Sequence, residues 1–279
     1  MTSTFAPAPA RSAGPAALAA FRDDGFLVVA DLFEPHEVAA LSRILPVAAE
    51  MATPKVVREV DGQVRSVFCE AGDFPVVDAA VRQRRLLEVA EALLGGRVYA
   101  YQVKLNSKKA LSGDLWPWHQ DYVFWREKDG LPRPDILTVG VLLDDATEFN
   151  GPLYFIPGSH RQGVIAPRVR AAADAADYSG DLAADLSFTV PGDAVASLVA
   201  RHGMVSAKGR AGTAIVFDGN VVHASANNLS PFDRNILFVT YCRVDNVTNQ
   251  HPPRRPGFLV NRDSSPIDAV SADDLARLA

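Results

Sequence analysis

Trp116-Pro117-Trp118-His119-Gln120-Asp121-Tyr122-Val123-Phe124-Trp125 sets an imidazole and a carboxylate two positions apart among aromatic side chains. On an extended strand, residues i and i+2 project from one face. The spacing therefore predicts that His119 and Asp121 converge on a single point of a β scaffold. A neutral imidazole nitrogen and a carboxylate oxygen are two parts of the 2-His-1-carboxylate arrangement that holds Fe(II) and leaves open positions for chemistry. The third ligand must come from elsewhere, and His223 in Phe217-Asp218-Gly219-Asn220-Val221-Val222-His223 is the candidate. Alone, H-x-D is a weak signal, since a hydrogen-bonded histidine beside a turn carboxylate reads the same way.

The surroundings are those of a β protein. Downstream, Val98 to Asn106 alternates like a strand with one polar face, and Ile136 to Leu143 is a near-continuous apolar run suited to a buried strand. Leu153 to Ile156 lies between Gly151-Pro152 and Pro157-Gly158, and Thr213 to Phe217 and Asn235 to Tyr241 complete the set. Short strands separated by Pro and Gly turns predict a barrel or sandwich. Upstream, the pattern predicts a helix over Ala17–Asp24 ended by Gly25, and a strand over Phe26–Val29. A second helix is expected from Glu34 to about Ala49, and a third from Arg82 to Leu94. The expected fold class is mainly β with flanking helices.

Residues 1–15, rich in Ala, Pro, Ser and Thr, are expected to be a disordered tail, with 16–279 forming a single domain. The Ala- and Asp-rich segment from about 168 to 210 is expected to be a lid-like insertion with short helical pieces around Asp193 to Arg201.

Over 279 residues, 48% are hydrophobic and 22% charged, ordinary values for a globular protein. A net charge of -5 gives no reason to expect nucleic acid or an anionic membrane as partner. No apolar stretch reaches the roughly 18 residues of a membrane span. The N-terminus lacks the basic-then-apolar pattern of a secretory signal. Cys69 and Cys242 have no metal-type spacing and read as free thiols, so a cytoplasmic protein is expected. Of the other histidines, His36, His160, His202 and His251 sit in helix, loop or coil contexts that suit structural roles.

Several blocks carry a specific resemblance. They are Tyr101-Gln102-Val103-Lys104-Leu105-Asn106, the Trp116–Tyr122 run, Trp125, Asp129-Gly130, Asn150-Gly151-Pro152-Leu153, Ile156-Pro157-Gly158-Ser159-His160 and His223-Ala224-Ser225, with Arg234 eleven positions after His223. The chain resembles the Fe(II)/2-oxoglutarate dioxygenases of the phytanoyl-CoA dioxygenase superfamily over about Phe21 to Arg262. It is most similar to the bacterial branch that hydroxylates small free amino acids, of trans-4-proline hydroxylase type; that likeness extends upstream over Asp61-Gly62-Gln63-Val64-Arg65. Ectoine hydroxylases stand further off.

The resemblance implies a double-stranded β-helix (jelly-roll, cupin-like) core. It implies Fe(II), 2-oxoglutarate and O2 as cofactor and cosubstrates, with ascorbate as reductant in vitro, and a small amino acid as substrate. Carried over by position, His119, Asp121 and His223 would be the iron ligands. Arg234 would pair with the distal carboxylate of 2-oxoglutarate, helped by Ser225. Asn106, Thr138 and Trp116 would line the cosubstrate pocket, and Gln102 and Trp125 would contact the amino acid. Lys104 and Arg65 are expected to grip its carboxylate. Retention of Asp121 implies hydroxylation, because halogenating relatives replace this carboxylate by Ala or Gly. Gln120 and Tyr122 stand where ectoine hydroxylases usually carry Ser and Phe, which argues against ectoine. A carrier-bound or natural-product substrate is the competing enzymatic reading, and a β-barrel binding protein without metal is the non-catalytic one.

Overall fold

The computed structural model describes residues 14–170, 179–182, 185–249, 255–271, 275 and 277. Most of the expected tail lies outside these residues, but Pro15 already belongs to a helix. Helix α1 (Pro15–Asp24) carries proline at its first turn, where the missing N–H costs nothing. It ends on Gly25 at φ 81°, whose amide donates to Phe21 O. After β1 (Phe26–Val29), the single helix expected from Glu34 to Ala49 is two, α2 (Pro35–Ser42) and α3 (Ile44–Ala49). Pro46 is the cause: it has no N–H to return to Ser42, and its ring would crowd that carbonyl.

Strands β2 (Val56–Arg58) and β3 (Val64–Cys69) precede α4 (Pro75–Val81) and α5 (Arg84–Leu94). The sequence reading missed α4 and began α5 at Arg82. Gln83, extended at ψ 128°, separates the two helices. Then come β4 (Val98–Lys108), β5 (Trp116–His119), α6 (Asp121–Asp129), β6 (Ile136–Leu142), β7 (Leu153–Phe155) and β8 (Arg168–Val169). The chain finishes with β9 (Phe188–Thr189), α7 (Gly192–His202), β10 (Val205–Ala207), β11 (Ala214–Asp218), β12 (His223–Ser225) and β13 (Arg234–Arg243).

Two antiparallel sheets face each other, as the jelly-roll expectation requires. The larger runs β1-β11-β6-β13-β4-β3-β2 and the smaller β10-β7-β12-β5. The larger sheet is apolar on both faces. Leu27, Val139, Val216, Leu237 and Val239 pack outward against the helices, while Phe26, Leu142, Ile215, Phe217 and Phe238 pack inward between the sheets. Both faces being dry explains why β6, β11 and β13 read as unbroken apolar runs rather than alternating ones.

Two local features shape the inner face. Gly140 pairs with Phe238 across β6 and β13, and a Cβ there would come within 2.7 Å of the phenyl ring, so only glycine leaves it room. The register between β4 and β13 slips by one: Gln102 faces Thr240 but Ala100 faces Tyr241. Tyr101 is the extra residue, and such a bulge re-aims neighbouring side chains. The segment expected as an insertion contains the small β8–β9 pair, the predicted helix as α7, and β10, which belongs to the smaller sheet. Residues 171–178 and 183–184 of that segment lie outside the described residues.

Candidate metal centre and cosubstrate pocket

His119 closes β5 and His223 opens β12, and the two are register partners across that pair. Cross-strand neighbours have Cβ atoms about 5 Å apart, close enough to share one ligand. The H-x-D expectation needs a correction, because the strand stops at His119. Gln120 is extended (φ -123°, ψ 126°), and Asp121 is the first residue of α6. A carboxylate suits this position, since the helix N-terminus carries partial positive charge. Convergence survives by another route: the turn leading to His223 docks on the start of this helix. Tyr122 N donates to Gly219 O at 2.8 Å, and Gln120 Nε2 donates to Asn220 O at 2.6 Å. The same Gln120 amide donates to Gly163 O and accepts from Ile165 N.

The three side chains offer ligand atoms all within 4.8 Å of one another. Asp121 Oδ1 lies 3.4 Å from His119 Nε2 and 3.8 Å from His223 Nε2. His119 Nδ1 is 2.7 Å from Pro117 O, and His223 Nδ1 is 3.0 Å from Val221 O. A carbonyl can only accept, so each Nδ1 carries the proton and each Nε2 presents a lone pair to the shared point. Burial, reinforced by the neighbouring His119, pushes His223 down to about 4, against the attraction of Asp121. Burial opposes ionisation of Asp121, but His223, the His119 contact and Lys104 outweigh it and hold the carboxyl far below its usual range. Two neutral imidazoles and one carboxylate are the protonation states a divalent cation requires. The donor set fits ferrous iron.

The cavity on which this cluster opens is floored by the larger sheet. Thr138 and Thr240, register partners on β6 and β13, join hydroxyls at 3.0 Å. Asn106 accepts from Ser66 at 2.9 Å, and Gln102 Nε2 donates to Leu259 O at 2.7 Å. Trp116 and Ser225 line the wall from the smaller sheet, and Trp125 from α6. Arg234 is 2% exposed; its Nη2 donates to Gly151 O at 2.5 Å and its Nε finds no partner. Burial pushes this guanidinium down to about 9, and no carboxylate pairs with it among the described residues. Its chain neighbour Asp233 instead binds Lys109 at 2.7 Å. Ser225 Oγ is likewise buried without a partner. An interior cation without a carboxylate partner and an unsatisfied hydroxyl, both lining one cavity, suit an oxyanion.

Lys104 lines the same cavity, its ammonium pushed down by burial. Arg65 does not. Its Nη1 pairs with Glu59 at 2.7 Å, its Nη2 donates to Leu115 O, and its guanidinium stacks 3.9 Å from the Trp116 ring. The cation expected to grip substrate is thus spent on positioning Trp116. The sequence reading missed Arg255, which lines the cavity, is 7% exposed, and is held by Asp129 through Nε and Nη2 at 2.7 and 2.5 Å. Tyr101 Oη donates to the same carboxylate at 2.6 Å. Asp129 and Tyr101 stood inside the quoted motifs, but nothing in the sequence ties them to an arginine so far along the chain.

The phytanoyl-CoA dioxygenase family model matches residues 21–236. An L-proline trans-4-hydroxylase from Streptomyces griseoviridis is 39% identical over 254 residues, covering 90% of this chain and 94% of that one. The EctD protein of S. alaskensis, solved with bound Fe, superposes with a TM-score of 0.77 at 33% identity, over 92% of this chain and 87% of that one. The same protein solved with 2-oxoglutarate and 5-hydroxyectoine gives 0.75 at 34% identity, over 93% and 86%.

Proposed function

The chain belongs to the phytanoyl-CoA dioxygenase family, and from that premise we propose that it hydroxylates an aliphatic C–H of a small free amino acid, proline-like or leucine-like. It is a 2-oxoglutarate-dependent dioxygenase, and the metal and cosubstrate are Fe(II) and 2-oxoglutarate. The observation that carries the reading is the His119–Asp121–His223 cluster opening onto a cavity with an unpaired buried arginine at its other wall. In this reading His119, Asp121 and His223 hold the iron. When bound, iron and 2-oxoglutarate supply the oxidising chemistry, the cosubstrate leaving as succinate and CO2 while one oxygen atom of O2 goes to the substrate carbon.

The protein's own work is placement. Arg234 binds the distal carboxylate of 2-oxoglutarate, and Ser225 Oγ completes that contact. Asn106, Thr138 and Trp116 form the surrounding wall. Ser66 fixes the Asn106 amide, Thr240 fixes the Thr138 hydroxyl, and the Arg65 guanidinium fixes the Trp116 ring. Gln102 and Trp125 face the amino acid, and Lys104 gives a positive charge to its carboxylate end. Arg255 takes the role first given to Arg65: Asp129 occupies Nε and Nη2, leaving Nη1 for a substrate oxygen. Leu182 and Leu186 cover the cavity from the crossover segment, which acts as the lid that keeps water out.

No helix among the described residues is long and apolar enough to cross a membrane, and Cys69 and Cys242 are free thiols. Both thiols are buried, which pushes each up to about 12. We place the enzyme in the cytoplasm. The test is a succinate-release screen of the twenty amino acids and ectoine with Fe(II), ascorbate and 2-oxoglutarate, with mass detection of the product. Turnover of proline or leucine with one added oxygen is expected; succinate release with none of them, or with ectoine alone, overturns the substrate assignment.

A further inference from the structure

We propose that Asp181, on the crossover segment, receives the ammonium group of the amino acid substrate and so reads the free α-nitrogen. Among the described residues lining the cavity, only Asp121 and Asp181 are carboxylates. Asp121 faces the metal position. The Asp181 side chain is 2% exposed, and its Oδ1 accepts from Ser187 N at 2.8 Å. Its Oδ2 is buried and accepts no hydrogen bond. Lys128 Nζ forms an ion pair with Oδ2 at 3.6 Å, too long for a hydrogen bond, and its ammonium lies 5.8 Å over the Phe188 ring. A buried carboxylate oxygen without a donor is unfavourable, so the closed cavity presents an acceptor that a bound donor would satisfy.

The chemistry of that donor follows from the neighbours. Arg255 is near enough for the Asp181 charge to act on it. An anion grip and a cation acceptor therefore line the same cavity, matching the two charged ends of an α-amino acid. An N-acylated substrate, or one joined to a carrier through its nitrogen, has no charge for Asp181 to meet.

This inference rests on the amino acid reading, and the experiment separates the two. Wild type, D181N and K128M, loaded anaerobically with Fe(II) and 2-oxoglutarate, are titrated calorimetrically with L-proline and L-leucine and with their N-acetyl derivatives. D181N removes the charge but keeps an oxygen for Ser187 N–H, so the local fold is retained. Wild type is expected to bind the free amino acid and reject the acetylated one. D181N should lose roughly 10- to 100-fold for the free amino acid, the size of one charge-assisted hydrogen bond, with 2-oxoglutarate affinity unchanged. K128M should keep wild-type discrimination; if it behaves like D181N, Asp181 serves only its lysine neighbour and the inference fails. D181N binding like wild type also overturns it, and leaves the amino acid reading standing. Wild type neither binding nor turning over any free amino acid removes the reading and the inference together.

Discussion

His223 faces His119 directly across β12 and β5, with ring centroids 4.1 Å apart. Neither ring can rotate away without losing its carbonyl contact, at Val221 O and Pro117 O respectively. The pair is therefore aimed before any ion arrives.

Replacing His119, Asp121 or His223 by Ala should abolish tight Fe(II) binding and substrate-dependent succinate release, since in the proposed reading each supplies one of three protein ligands. Metal content after desalting and a succinate assay check this. A variant that retains both iron and turnover would remove the assignment.

Arg234→Met should raise the apparent KM for 2-oxoglutarate about 100-fold or more, because truncating one side of a buried charge pair costs on the order of 2–5 kcal/mol. Arg234→Lys should be less damaging but still impaired, since an ammonium lacks the planar fork. The amino acid KM should move far less. Equal effects on both substrates would place Arg234 somewhere other than the cosubstrate end.

Asp129→Asn should destabilise the protein by roughly 3–5 kcal/mol, because it leaves the buried Arg255 without its counter-charge and offers one oxygen to three donors, two from Arg255 and one from Tyr101. Asp129→Leu combined with Arg255→Met removes both charges and should recover much of that loss while abolishing substrate binding. Denaturant unfolding of the two variants beside wild type gives the comparison. An Asp129→Asn variant as stable as wild type would show that the pair carries little energy.

Lys108 is 3% exposed, and its Nζ donates to Asp114 O and Ala226 O, which flank β5 and β12. Burial, with the like charge of Arg234 second, pushes its amine from 10.5 down to about 6. Between those values the unfolded chain holds a proton that the folded chain does not. Stability due to this group is therefore present at high pH and is lost as pH falls from about 10 toward 6, at about 1 kcal/mol per unit. Unfolding midpoints of the metal-free protein at pH 7 and pH 9 should differ accordingly, and Lys108→Met should flatten the difference. An unchanged slope in that variant would assign the pH dependence to other groups.

The sequence made legible whatever depends on neighbours along the chain. β6, β11 and β13 were readable because both faces of their sheet are dry, and Gly25 and Gly95 marked helix ends because each takes a left-handed conformation there. His119, Asp121 and His223 were readable as a candidate metal-holding set, but not the geometry that joins them. A period-two argument put Asp121 on the strand, whereas tertiary contacts from Gly219 and Asn220 favour a helix start at that residue. Arg65 and Arg255 show the same limit. Each is an arginine beside polar residues in sequence, and only the fold decides that Glu59 and Trp116 claim one while Asp129 presents the other to the cavity. The one-residue slip at Tyr101 left no local mark either, because nothing in β4 alone reveals the register of β13.

Gln120 sits between the two candidate ligands of its own segment and spends its amide on three backbone groups: Asn220 O before His223, and Gly163 O and Ile165 N ahead of β8. An ion that ordered His119 and Asp121 would restrain all three strips of backbone through that one side chain. Amide exchange at Ile165 should slow on ion loading although Ile165 is not one of the three candidate metal-holding residues, so a change at the cluster would be felt some forty residues further along the chain.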